Sequence, residues 1–211
     1  LGIGLQLGRF LAIAGARVLL SARSEGKLAE ARDDIVDELR NIGYPRPETR
    51  VTILGGIDVG DPEALDRLHD HAVAELGHVD FLINNAGISG AEEMVVDMTR
   101  ADWDRTMEAN LISNYSLIRK FSPAMKAGGK GSILNVSSYF GGEKYVAVAY
   151  PNRADYAVSK AGQRVLAEIL SRHLGPEIQI NALAPGPVDG ARLRGSAEAP
   201  GLFDRRGRLV L

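Results

Sequence analysis

The 211-residue chain contains no cysteine. That excludes disulfides, thiolate metal sites and covalent catalysis through a cysteine nucleophile, and it fits a reducing, cytoplasmic setting. No stretch is apolar for the roughly 18 residues a membrane span needs, and no basic segment followed by an apolar run reads as a secretory signal. A net charge of −2 leaves no basic surplus for nucleic acid or an anionic membrane. The four histidines, His69, His71, His78 and His173, have no metal-ligand spacing and read as structural or solvated groups, so no metal is expected. Internal repeats, low-complexity tracts and a second-domain boundary are also missing. Residues 1–211 therefore read as one domain.

What is present is alternation. Apolar runs at 16–21, 51–54, 79–84, 133–136 and 178–183 read as strands, and amphipathic stretches at 5–14, 25–41, 62–76, 99–126 and 152–173 read as helices. Asp61 before Pro62 is an N-cap with proline at the first helical position, and Thr99 is a second cap. Strands alternating with helices of this length predict an α/β fold, a doubly wound parallel sheet in three layers. Ligands of such sheets bind beyond the carboxyl ends of the strands. The residues with chemical potential fall there: Asn84 to Gly87, Ser138, and Pro185 to Val188.

Tyr156 and Lys160 lie four apart in DYAVSKAG, with Ser138 eighteen residues upstream in NVSS. A helix puts positions i and i+4 on one face, so the ammonium is expected beside the phenol. A nearby cation favours phenolate, which suits the phenol for proton transfer during carbonyl reduction. A lone Tyr-x-x-x-Lys is more often an ordinary helix surface, so its neighbours decide the matter.

Those neighbours look like a dinucleotide site. Gly2-Ile3-Gly4 opens the first helix, where glycine lets backbone approach a pyrophosphate. From three residues alone, a helix entry without a ligand is the default reading. The strand that follows this helix ends in Ser21-Ala22-Arg23, with no carboxylate for a ribose 2′-hydroxyl. An arginine there fits a 2′-phosphate, so NADPH is expected over NADH, with a solvated surface arginine as the plain alternative. Asp58 in the Ile57-Asp58-Val59 stretch is placed to accept from an adenine amino group, or simply to approach a helix.

The ordered set NNAG at 84–87, Asn110 in EANLIS, NVSS at 135–138, Tyr156 with Lys160, and APGPV at 184–188 resembles the short-chain dehydrogenase/reductases along nearly the whole chain. The resemblance implies a Rossmann-type fold and a nicotinamide cofactor. It makes Tyr156 the general acid/base and Lys160 the ribose ligand that tunes it. It has Ser138, not Ser137, bonding the substrate oxygen and Asn110 anchoring a relay water. Asp58, Val59, Asn84, Ala86 and Gly87 would line the cofactor, and Pro185, Gly186 and Val188 would bracket the nicotinamide amide. Two features depart from the family. The serine-to-tyrosine interval is longer than the usual dozen or so, and the glycine motif lacks its opening Thr-Gly. The second departure fits a chain that starts at Leu1 and is expected to be a fragment incomplete at both ends. Such a piece, lacking central sheet partners, is not expected to fold stably alone.

The stretches LINNAGISGAEEMVVDM, ANLISNYSLIRK, YPNRADYAVSKAGQR and LGPEIQINALAPGPV are similar to one subgroup, the C-terminal halves of the bifunctional malonyl-CoA reductases. That resemblance implies reduction of malonyl-CoA to malonate semialdehyde, other reductase units in the same long polypeptide, and a homo-oligomer. Without a cysteine, reduction would proceed by direct attack on the thioester carbonyl. A malonyl carboxylate calls for a cation, a role the resemblance gives to Arg192, with Arg194 beside it; a solvent-facing loop arginine is the alternative. Arg205, Arg206 and Arg208 are a basic run for CoA phosphates or a charged surface. Two other readings stand beside this one: a reductase of free aldehydes, ketones or alcohols, and a cofactor-binding scaffold that has lost catalysis.

Overall fold

A computed structural model describes residues 2–142, 144–189 and 191–194. Among them, α1 (Gly2–Ile13), β1 (Val18–Ser21), α2 (Glu25–Asn41), β2 (Val51–Leu54), α3 (Pro62–Leu76) and β3 (Phe81–Asn84) alternate. There follow α4 (Arg100–Met107), a π-helical turn (Glu108–Ile112), α5 (Ser113–Ala127), β4 (Gly131–Val136), a 3-10 turn (Tyr139–Gly141) and α6 (Lys144–Ala149). A second 3-10 turn (Pro151–Arg153) leads into α7 (Ala154–Leu174), then β5 (Ile178–Leu183) and α8 (Ala191–Arg194).

Local chemistry sets several of these boundaries. Ser24 caps α2 by accepting from the Lys27 N–H, Asp61 caps α3 through the Glu63 N–H, and Thr99 caps α4 through the Asp102 N–H. All strand pairs are parallel: β1 with β2, and β3–β4–β5 in that order. Among the described residues the parallel strands form two groups, since none pairs with both β1 and β3. A groove of about 450 Å³ runs beside β3, lined by Leu7, Phe10, Phe81, Ile83 and Leu134 among others.

Alternation along β1 shows both faces covered. Val18 and Leu20 pack with Ala12, Ile35 and Leu39 of α1 and α2, whereas Leu19 joins the larger core built on α3, α5, α7, β4 and β5. This is the Rossmann-type layering expected. Registers Ser21↔Leu54, Asn84↔Asn135 and Val136↔Leu183 align the carboxyl ends of neighbouring strands, and the candidate residues sit there.

Candidate active site

The helix expected to run unbroken from Thr99 toward Lys126 is interrupted by a π turn centred on Asn110. Such turns are often found at functional sites. Asn110 is fully buried. Its Oδ1 accepts from the Ile88 N–H at 2.8 Å, and its Nδ2 donates to the Ile88 carbonyl and to Ser159 Oγ, each at 3.0 Å. The Asn110 backbone carbonyl accepts from Gln163 Nε2. Asn110 therefore ties the loop after β3 to α7 through protein groups.

The loop after β4 distinguishes its two serines. Ser137 Oγ donates to the Lys160 carbonyl at 2.6 Å, a bond that holds α7 against β4. Ser138 Oγ caps the following 3-10 turn, accepting from the Phe140 N–H at 3.3 Å. That turn rests on the backbone of α7, because a Cβ on Gly141 would lie 2.4 Å from Lys160 C and Ala161 N. Phe140 meets the Tyr156 ring edge-on, centroids 5.7 Å apart, so one aromatic side chain links the Ser138 turn to the phenol.

Lys160 is buried, and its Nζ lies 5.8 Å from the Tyr156 ring centroid. The ammonium donates to the Val136 carbonyl at 2.9 Å and to Gln163 Oε1 at 3.2 Å. Helical spacing alone brings it beneath Tyr156, and these acceptors from β4 and α7 hold it there. Asn110, Ser138, Tyr156 and Lys160 thus converge at the carboxyl edge of β3–β4–β5.

Sequence reasoning overlooked two residues within the long serine-to-tyrosine interval. Arg153 is buried and stands over two rings, its Cζ 5.5 Å from the Tyr156 centroid and 5.6 Å from that of Phe140. Its Nη1 donates to the Ser89 carbonyl at 3.0 Å and to Glu92 Oε1 at 2.6 Å. Asp155 is fully buried and accepts from three donors: the Ala91 N–H at 3.0 Å, Thr106 Oγ1 at 2.7 Å and the Tyr156 N–H at 2.7 Å. The interval is therefore clamped to the loop after β3. The available signal was an Arg and an Asp flanking Ala154 at the start of a helix whose inward face holds Tyr156.

The residues expected to hold a nicotinamide dinucleotide can be tested for fit. A Cβ on Gly87 would lie 2.8 Å from Asn110 Oδ1 and 3.6 Å from Lys160 Nζ, and one on Gly4 would lie 2.6 Å from Asn85 Nδ2. Only glycine lets these segments approach so closely. Asn84 is buried at the end of β3 and donates to Asn135 Oδ1 at 2.9 Å, while its own Oδ1 has no partner among the described residues. Ala86 and Arg23 are exposed along the same edge. Gly2 and Ile3 open α1 there, with Gly2 exposed. Asp58 is exposed and accepts from the Gly60 N–H at 3.0 Å, and Val59 packs on the main core. Pro185 ties its loop to the Ser138 turn by accepting from the Tyr139 N–H at 3.1 Å, and Gly186 and Val188 are exposed beside it. The open edge, the close-packed glycines and the orphaned Asn84 oxygen fit a cofactor of this kind.

Arg194 forms a bidentate pair with Asp189, at 2.8 and 2.7 Å, and these bonds hold its guanidinium proton above the usual range. Arg192 falls in α8, but its side chain lies outside the described residues, as do Arg205, Arg206 and Arg208. Among the described residues no cluster of His, Cys, Asp or Glu suits a metal, and no helix is long and apolar enough to cross a membrane.

Comparison with known proteins places this geometry. The short chain dehydrogenase family model matches residues 1–200. The 7alpha-hydroxysteroid dehydrogenase of Escherichia coli (strain K12) is 33% identical over 188 residues, covering 89% of this chain and 67% of that protein. The trans-4-hydroxycyclohexanecarboxylate dehydrogenase of Sinomonas cyclohexanicum is 35% identical over 191 residues, covering 89% and 68%. Among solved structures, the C-domain of a bacterial malonyl-CoA reductase with NADP is 58% identical with a TM-score of 0.89; the match covers 93% of this chain and 30% of that one. A metagenomic short-chain oxidoreductase in complex with NADP is 31% identical with a TM-score of 0.76, covering 89% and 78%. With the Ser138, Tyr156 and Lys160 constellation on a Rossmann-type frame and a family match across almost its full length, the chain belongs to the short-chain dehydrogenase family.

Proposed function

We propose that the chain is an NADPH-dependent reductase unit that converts malonyl-CoA to malonate semialdehyde, releasing CoA. The observation that carries this is the 58% identity to the malonyl-CoA reductase C-domain, against 33–35% for relatives named for hydroxysteroids and hydroxycyclohexanecarboxylates. The match spans 30% of that longer chain, and in this reading the unit works beside other reductase units of one polypeptide.

Bound NADPH supplies the hydride. Gly2 to Gly4, Arg23, Asp58, Asn84 to Gly87 and the Pro185–Val188 loop would hold the dinucleotide, with Lys160 toward its ribose. Ser138 Oγ and the Tyr156 hydroxyl donate to the thioester oxygen as it gains negative charge, each such donor contributing about 3 kcal/mol. Arg153 Cζ and Lys160 Nζ lie 5.5 and 5.8 Å from the Tyr156 ring centroid, so two cations stand beside the phenol. Collapse of the tetrahedral oxyanion breaks the C–S bond. The aldehyde remains, and the departing CoA thiolate takes the Tyr156 phenol proton, which is the proton transfer that accompanies reduction. Arg192 would pair with the malonyl carboxylate, since Arg194 already engages Asp189.

A second reading is favoured by the relatives named as hydroxysteroid and hydroxycyclohexanecarboxylate dehydrogenases. In it the substrate is a free carbonyl, and Tyr156 gives its proton to the alkoxide. NADPH oxidation by the full-length polypeptide, with thiol release followed in parallel, separates the two. Malonyl-CoA should oxidise NADPH with one thiol released per turnover. Turnover with free carbonyls alone would reject the thioester assignment.

A further inference from the structure

The inward face of α7 carries Ser159, Lys160, Gln163 and Ala167, and Gln163 is fully buried on it. A glutamine in that position needs partners for both ends of its amide. It has them: Oε1 accepts from Lys160 Nζ at 3.2 Å, and Nε2 donates to the Asn110 carbonyl in the π turn. Gln163 is held in turn, since its backbone carbonyl accepts from Asn135 Nδ2 at 3.2 Å and Asn135 Oδ1 accepts from Asn84 Nδ2 at 2.9 Å. A continuous run of buried amides therefore passes from the end of β3, through β4, into α7, and ends on the Lys160 ammonium and the Asn110 turn.

We infer that Gln163 is a positioning residue for the reaction proposed above. Its amide fixes the separation between Lys160 Nζ and the Asn110 turn and so keeps the ammonium beneath the Tyr156 ring. A lysine carries its charge on a flexible four-carbon stem, and each fixed acceptor narrows the range over which that stem can swing. Gln163 adds a second acceptor one helical turn along, on a residue that is itself anchored at both its side chain and its backbone. Among the described residues, Lys160 of α7, Arg153 of the preceding 3-10 turn and the neutral Phe140 face the Tyr156 ring, and Asp155 accepts from its backbone N–H.

The inference rests on the assignment of Tyr156 and Lys160 as the reacting pair, and the experiment separates the two. Full-length Gln163→Met, Gln163→Glu and Tyr156→Phe are compared with the parent for kcat and KM from about pH 5 to 10, alongside thermal melts. Gln163→Met removes both amide bonds at constant length, and kcat should fall about 10-fold with KM for the carbonyl substrate changed less than about 3-fold. Gln163→Glu keeps an acceptor for Lys160 but sets an anion against its charge. The pH profile of kcat should then be displaced upward from the parental one by about one unit. If both variants keep the parental kcat and pH profile, with only the melting temperature lowered, Gln163 is merely structural and the inference is overturned. Undiminished turnover by Tyr156→Phe would instead reject the assignment of the reacting pair.

Discussion

Asp155 offers the most exacting test of how the site is assembled. Its fully buried carboxylate collects the Ala91 N–H, the Thr106 hydroxyl and the Tyr156 N–H, joining the loop after β3, α4 and the first turn of α7. Hydrogen bonds to a charged acceptor contribute about 1.5–3 kcal/mol each, and a donor left unsatisfied in the interior costs about 1–3 kcal/mol. Three such bonds in one cluster do not add in full. For Asp155→Ala we therefore expect a loss of about 4 kcal/mol. A domain of this size loses about 2–4 °C per kcal/mol, so the melting transition should fall by about 8–16 °C. Asp155→Asn keeps one acceptor oxygen and should lose about half as much. Thermal denaturation of the full-length protein, followed by circular dichroism, reads both shifts. An Asp155→Ala variant melting within about 2 °C of the parent would refute the reasoning.

Gly141→Ala forces a methyl against the α7 backbone at 2.4 Å. Backbone cannot yield as a side chain can, so the variant should lose about 1–3 kcal/mol of stability. Its kcat should also fall roughly 100-fold as the Ser138 turn is pushed off Tyr156; a parental kcat and melt would contradict this. The Lys120 ammonium donates to Asp66 between α5 and α3 and holds that carboxyl below its ordinary value of 3.8. A lowered folded value means the pair stabilises fully above the ordinary value and loses its effect as pH falls through the lowered one. Lys120→Met should raise the Asp66 midpoint in a carbon-detected NMR titration, and an unmoved midpoint would contradict the pairing.

Much of the frame was legible because its signals are local. Ser24, Asp61 and Thr99 are caps written into the chain, and α2, β2, α3 and β5 run between the residues that patterning predicts. The candidate residues Asn110, Ser138, Tyr156 and Lys160 stand out as an ordered set, although nothing in their spacing states their separations in space. What sequence did not reveal depends on contacts between distant segments. The π turn at Asn110 cannot be read from EANLIS, because the partners that hold it, Ile88, Ser159 and Gln163, lie on other segments. Arg153 and Asp155 resemble an ordinary charged helix start until the loop after β3 is seen to fold over them. Gln163 could have been flagged, since it lies seven residues beyond Tyr156 and so shares its helical face. Arg194 stands out in sequence as a candidate for a substrate carboxylate, but Asp189 five residues before it accepts from its Nε and Nη2.

The central claim is that the Tyr156 hydroxyl, set beside Lys160 and linked through Phe140 to the Ser138 turn, transfers the proton that accompanies reduction. Its most direct measurement is single-turnover NADPH oxidation by full-length Tyr156→Phe, which removes one oxygen and leaves the ring packing intact. A general acid/base contributes about 10²–10⁴-fold, so the rate should drop by at least about 100-fold with NADPH affinity little changed. A rate within about 2-fold of the parent would contradict the account and favour a unit that binds cofactor without performing catalysis.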